Sequence, residues 1–353
     1  MIKNIIGSVD FCESLRGKSA TFLLSMSNSA TANIEGITQA GIPGMLHLTP
    51  TLDAEFLTTG EVRSLEDIAK TPKGVPTPAL ITRAVHLLKP FSQIELLNLG
   101  IKNITKVKHF EIHNLDINPS DSIQTGANIN AMELFQKGVK FAQEYKTNSD
   151  YVILAESVPS GTTTALATAL ALGYDCKDKF SSSFKDVPNN IKDEVISDAL
   201  NNIKDKNDLF DKLGSVSDNM IIFNAGFILG ANNRDFKVVL AGGTQMAAVL
   251  LTINSILKNM DGSIDSSKIA LWTTSWVAND DNSDIEGLLK MLDFPIDAYY
   301  SDFDFSLTNH PALKLYDDGE AKEGVGAGAA LVYGLINGLD KQSITSKIES
   351  FLG

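Results

Sequence analysis

Tyr151-Val152-Ile153-Leu154-Ala155-Glu156-Ser157-Val158-Pro159-Ser160-Gly161-Thr162-Thr163-Thr164 decides the architecture. Tyr151 to Ala155 is a continuous apolar run, without the in–out alternation of a sheet wetted on one side. It reads as a buried strand. A carboxylate ends it, and a Gly/Thr-rich loop then opens a helix from Thr162 to Leu172, closed by Gly173. A strand apolar on both faces that passes directly into a helix is the mark of a parallel sheet covered on both sides.

The unit recurs on either side of this stretch. Val238 to Ala241 reads as a strand and runs into Gly242-Gly243-Thr244. Ile269 to Thr273 and Ile296 to Tyr300 are further strands, and Thr21 to Ser25 is an earlier one that ends in a polar loop. Helical spacing covers Ala79 to Leu88, Ala131 to Glu144, Asp284 to Leu292 and Gly326 to Leu335, with one or two turns at Asp53 to Leu57. Strands alternating with helices predict a Rossmann-like three-layer α/β/α fold with a mostly parallel sheet. The chain is expected to form a single domain over 1–353, with a small helical part from about 50–90 and 335–353. Ser181 to Lys212 is the most polar stretch, with helical segments such as Lys192 to Ile203, and reads as a solvated surface excursion. In such folds ligands bind outside the carboxyl ends of the strands. The loops at Glu156, Gly242 and Thr273 are therefore expected to converge on one crevice.

Charge narrows the function. A formal net charge of −13 and a pI near 4.8 argue against a nucleic-acid binder, which needs a basic stripe. An anionic substrate must be held by local amides and hydroxyls. Cys12 and Cys176 are the only cysteines, too few for a disulfide framework, and fit a reducing compartment. Met1 to Phe11 lacks a signal-peptide pattern. Val238 to Leu257 is uncharged but carries Gly, Thr, Gln, Asn and Ser, which suits a buried helix better than a bilayer span. The expectation is a cytoplasmic protein with no membrane partner.

A second carboxylate–glycine arrangement lies in Ala321-Lys322-Glu323-Gly324-Val325-Gly326-Ala327-Gly328-Ala329-Ala330. Glu323 and Glu156 are candidate general bases, because burial in a glycine-lined pocket brings a carboxylate toward neutrality. Ser160, Gly161, Thr162 and Thr163, together with Gly242, Gly243 and Thr244, open helices whose free amides can hold an anion. The plainer alternatives are N-capping at the helix starts and surface capping carboxylates. Neither turn is a Walker A loop or a Rossmann fingerprint. His109-Phe110-Glu111-Ile112-His113 looks strand-like and lacks H-E-x-x-H order, Asp302 and Asp304 read as solvated acids, and Asp280, Asp281 and Asp284 read as a helix start. No metal or cofactor is expected.

Taken in order, these pieces resemble the nicotinate mononucleotide:dimethylbenzimidazole phosphoribosyltransferase family of cobalamin nucleotide-loop assembly, and within it the archaeal and cyanobacterial branch. The similar segments are Gly41 to Glu61 with Leu48-Thr49-Pro50-Thr51-Leu52-Asp53-Ala54-Glu55-Phe56, Gly74 to Val85, Ala155-Glu156 with Gly161 to Thr164, Leu240 to Met246, Thr273 to Val277 and Lys322 to Gly328. The resemblance implies transfer of ribose 5-phosphate from nicotinate mononucleotide to an aromatic base, by a homodimer. It makes Glu323 the catalytic base, puts Glu156 in the same pocket and Gly324 and Gly326 in the turn beside it, and gives the phosphate to Ser160–Thr163, Gly242–Thr244 and Thr274. The bacterial enzymes carry Glu-Met-Gly-Ile-Gly-Asn where this chain has Glu156-Ser157-Val158-Pro159-Ser160-Gly161, and their N-terminal base-binding segment is not recognisable here. The acceptor therefore stays open among dimethylbenzimidazole, another benzimidazole, adenine and a phenol. A non-catalytic nucleotide-binding or regulatory relative is the alternative function, and a transferase using another phosphoribosyl donor is a further one.

Overall fold

The computed structural model describes residues 1–66, 68–103, 110–184 and 189–352. His109 lies outside the described residues. Eight strands form one sheet: β1 Ile2–Ile6, β2 Ala20–Met26, β3 Gln93–Asn98, β4 Glu111–Asn114, β5 Tyr151–Ser157, β6 Lys237–Ala241, β7 Ile269–Thr274 and β8 Asp297–Ser301. Their order is β1-β8-β7-β6-β5-β2-β3-β4, and every neighbouring pair is parallel except β1–β8.

Alternate residues of each strand feed two cores. Leu23, Leu97, Val152, Leu154, Leu240 and Leu271 face a layer that includes helices Ala131–Glu144, Gly161–Ala171, Asn219–Ala231 and Thr244–Asn259. Phe22, Leu24, Ile153, Ala155, Val239 and Trp272 face the opposite layer, which includes helices Ala79–Leu88 and Ala327–Ile336. The expected three-layer α/β/α arrangement is borne out. Helices Thr49–Thr59 and Lys341–Glu349 both pack on Ala79–Leu88.

The chain builds β2, β3 and β4 in one direction, then returns past them to lay β5, β6, β7 and β8 in the other. The order reverses between β2 and β5, which is where an open parallel sheet leaves a crevice at its carboxyl edge. Ser25 of β2 pairs with Glu156 of β5 at this point.

One reading of the sequence is corrected. Ser181 to Lys212 is not simply a solvated excursion: Ser181 and Ser182 are buried, and helix Asn189–Asn201 buries Lys192, Val195, Ile196 and Ala199. Those last four sit at i, i+3, i+4 and i+7, one narrow buried face of three apolar residues and a lysine among polar ones. Within the 335–353 part, expected to be helical, the tail carries helix Lys341–Glu349, with Ile344 and Ile348 buried. Among the described residues no helix is long and apolar enough to cross a membrane, Thr244–Asn259 included.

Candidate active site

The two glutamates meet at the reversal point. Glu156 is the penultimate residue of β5 with only 3 % of its surface exposed, and its Oε2 accepts the Val158 amide at 3.1 Å. Glu323 is partly exposed and more tightly held. Its Oε1 accepts amides from Gly328 (3.1 Å) and Gly324 (3.3 Å), and its Oε2 accepts the Thr274 amide (3.0 Å) and the Thr273 hydroxyl (3.2 Å). Burial pushes the Glu156 carboxyl up to about 8, and the charge of Glu323 adds to the rise. Burial pushes Glu323 up to about 7, against the pull of its four donors.

The turn after Glu323 is built to reach Glu156. The Val325 amide donates to the Glu156 carbonyl at 2.9 Å, and the Thr82 hydroxyl holds the Val325 carbonyl at 2.7 Å. Val325 adopts φ 52, an unusual conformation for a β-branched residue. At Gly326 (φ 64) a Cβ would stand 2.8 Å from the Cβ of Ala155, so glycine is required there. At Gly328 a Cβ would come within 2.0 Å of the Thr273 backbone, and this close approach lets the Gly328 amide reach Glu323.

Around the pair lies a cleft with two lobes. One, a cavity of about 120 Å³, has walls that include Val75, Pro76, Pro78, Val158 and Pro159, with Asp53, Glu156, Glu323 and Gly324 also on its lining. The other, of about 80 Å³, is the more polar of the two and rich in hydroxyls and glycines: Ser160, Gly161, Thr162, Ser181, Gly243 and Thr244 are among its lining residues. Glu156, Gln245, Lys322 and Glu323 border both lobes. The structure thus brings Ser160, Gly161, Thr162, Gly243, Thr244 and Gly324 to the cleft with the glutamates. Thr163, Gly242, Thr274 and Gly326 do not line it. Thr274 instead donates its amide to Glu323, and a Cβ at Gly242 would lie 3.9 Å from the Glu156 Cγ. Simple N-capping does not account for the polar lobe. Ser160 precedes helix Gly161–Ala171 at φ 63, caps nothing, and leaves its buried hydroxyl without a partner.

The fold has counterparts. A family profile described as phosphoribosyltransferase matches residues 95–261. The UPF0284 protein of Sulfurisphaera tokodaii is 34 % identical over 99 % of this chain and 96 % of its own length. That of Saccharolobus solfataricus is 33 % identical over 99 % of this chain and 96 % of its own. The chain belongs to the UPF0284 family. The structure of nicotinate-nucleotide-dimethylbenzimidazole phosphoribosyltransferase from Thermus thermophilus matches with a TM-score of 0.61 at 14 % identity, over 94 % of this chain and 83 % of that one. The family resemblance read from the sequence, with its archaeal branch, is borne out.

This UPF0284 chain holds further polar groups that the sequence reading passed over: Lys322, Gln245 and Asp53 line the cleft, and Lys192 lies behind its lining. Lys192, 6 % exposed, lies close enough to Lys322 to be repelled by it. Burial, offset in part by Asp193, lowers its ammonium to about 8. Its spacing from Val195 and Ile196 was the signal available in the sequence. Lys322 pairs with Asp280 at 2.7 Å, with side chains 7 % and 4 % exposed. Gln245 has a buried Oε1 without a partner at the junction of the lobes. Asp53 accepts hydroxyls from Thr77 and Ser157, both at 2.6 Å, and burial raises it to about 6. An acid amid the apolar residues of Leu48 to Phe56 was its only trace.

Proposed function

We propose that this chain transfers the phosphoribosyl group of nicotinate mononucleotide to a ring nitrogen of an aromatic base, releasing nicotinate and an α-ribazole phosphate in cobamide assembly. The observation that carries the reading is the position of the Glu156–Glu323 pair, between a small polar lobe and a larger apolar one. In this reading the polar lobe takes the phosphate. The starts of helices Gly161–Ala171 and Thr244–Asn259 direct amides and positive dipole ends there. Lys192 and Lys322 supply positive charge nearby, and the hydroxyls of Ser160, Thr162 and Thr244 supply donors; Thr163, Gly242, Thr274 and Gly326 support the turns from behind. The apolar lobe takes the flat acceptor, between proline and valine walls.

The chemistry follows from the charges. The donor ring is a pyridinium, so it leaves as a neutral pyridine nitrogen when its bond to C1′ breaks, and no acid is needed. The acceptor nitrogen forms the new bond to C1′ from the opposite face, inverting the anomeric centre. Its ring N–H proton passes to a carboxylate. Glu323, near neutrality and fixed by four donors, is the base; Glu156, still protonated at pH 7, donates a hydrogen bond beside it. Fixing the phosphate aims C1′ at the nucleophile. The same reading takes the chain as one domain, acting as a homodimer in the cytoplasm.

The test is nicotinate release from nicotinate mononucleotide in the presence of benzimidazoles, adenine or phenols. Release that requires an acceptor, and that falls at least about a hundredfold in Glu323→Gln with donor binding retained, is expected. Full activity in that variant removes Glu323 from its role. Donor binding with no turnover on any acceptor refutes the reaction.

A further inference from the structure

A second group of chemically able side chains lies away from the cleft, on the last two strands of the sheet. Glu95 of β3 and Glu111 of the edge strand β4 stand directly opposite each other in register. Like charges so placed repel and destabilise a pair of strands. His113, two residues along β4 on the same face, puts Nε2 2.7 Å from Glu95 Oε2 and 3.9 Å from Glu111 Oε1. One ligand atom from each of the three lies within 4.8 Å of the others. Glu95 is a core position, its side chain 4 % exposed, on a face where Leu97 two residues later is apolar and buried.

An independent observation points into the same spot. Tyr145, 5 % exposed, has a buried hydroxyl with no hydrogen-bond partner. That hydroxyl faces Glu95 and feels the charge of both Glu95 and Glu111. A buried phenol that turns to Glu95 without a well-formed hydrogen bond, beside two opposed carboxylates and an imidazole, is poorly satisfied unless something sits among them. Phe141 packs edge-on against His113 at 5.0 Å and closes one side.

We propose that Glu95, Glu111 and His113 bind one divalent transition-metal cation, of which zinc is the best fit, with the Tyr145 hydroxyl donating to a water or hydroxide in the remaining position. One imidazole and two carboxylates form a mixed N/O set suited to zinc and poorly suited to magnesium or calcium, which take oxygen ligands. Two carboxylates and a neutral imidazole make the complex electrically neutral. The site ties the edge strand β4 to β3, so its role is to staple the sheet, apart from the proposed transfer chemistry.

The experiment uses the full chain, stripped with chelator and dialysed. Calorimetric titration with zinc chloride at pH 7 is expected to give one equivalent bound, with magnesium chloride giving none. Glu111→Gln, at an exposed side chain, should weaken zinc binding at least tenfold, as should His113→Asn. Zinc should raise the thermal midpoint of the parent and leave that of Glu111→Gln unchanged. Tyr145→Phe should keep the stoichiometry and weaken binding severalfold. No stoichiometric binding, or binding of equal strength in parent and both ligand variants, overturns the proposal and leaves a plain Glu95–His113 ion pair. Nicotinate release plays no part in these readouts, so this test and that of the transferase reading fail separately.

Discussion

Replacing Glu156 with glutamine should make the protein more stable, by an amount that grows with pH. The Glu156 carboxyl rises from 4.5 to about 8 in the folded chain, because burial and then the charge of Glu323 oppose its ionisation. At about 1.36 kcal/mol per pH unit, that rise is worth up to about 5 kcal/mol, and relaxation around the site reduces the measurable part to about 2–4 kcal/mol. The sign follows from proton counting. Below pH 4.5 both folded and unfolded chains hold the proton, and the native state keeps its full advantage. Between 4.5 and about 8 the unfolded chain has released it while the folded chain has not, so stability falls as pH rises. The amide of the Glu156→Gln variant does not titrate, and this part of the slope vanishes. Glu323 also loses a repelling neighbour, which adds to the gain. Urea unfolding of parent and Glu156→Gln at pH 5, 6, 7 and 8 measures the difference directly. The two curves should lie close together at pH 5 and separate steadily above it. Parallel curves across the range would refute the buried, charge-opposed placement of this group, and a variant less stable at pH 8 would refute it more strongly.

The other predictions probe the same site and the residues behind it. Nicotinate release should increase as pH rises through about 7, because Glu323 must be ionised to accept a proton; a flat profile in a pH–rate series would count against it as base. Lys192→Met should raise KM for the mononucleotide at least about tenfold with less change in kcat, if a cation–phosphate contact is lost. The same variant should be more stable at pH 7 by up to about 3 kcal/mol, since the Lys192 ammonium is depressed from 10.5 to about 8 and stability is lost as pH falls through that window. Steady-state kinetics and denaturant titration check the two halves. Lys322→Ala should cost about 3–5 kcal/mol by leaving Asp280 buried and unpaired, read from chemical denaturation. Gly328→Ala should cost about 3 kcal/mol or more, because its Cβ would collide with the Thr273 backbone and push helix Ala327–Ile336 off β7; an unchanged midpoint would show that the helix shifts freely.

Legibility in the sequence followed local pattern. β5, β6, β7 and β8 were readable because each is a short continuous apolar run before a turn, and helices Ala79–Leu88 and Ala131–Glu144 because their period is clean. β3 was missed because Glu95 interrupts its apolar run, and β1 because its partly exposed residues give no core signal. Helix Asn219–Ala231 was invisible for the opposite reason: it is buried almost all round, so no period distinguishes it. At the site, Glu156 and Glu323 stood out because glycines follow them. Lys192, Gln245 and Asp53 were hidden because their importance comes from what the fold places opposite them, and a single chain of letters does not record that.

The grip on Glu323 has a consequence for how such proteins diversify. Three of its four tethers are main-chain amides, from the end of β7, from the adjoining glycine and from the first turn of helix Ala327–Ile336. Side-chain replacement elsewhere leaves those tethers in place. A lineage can therefore recut the Val75, Pro76, Val158 and Pro159 walls while the Glu323 carboxylate stays where it was, so that the shape of the cleft and the position of its acid change independently.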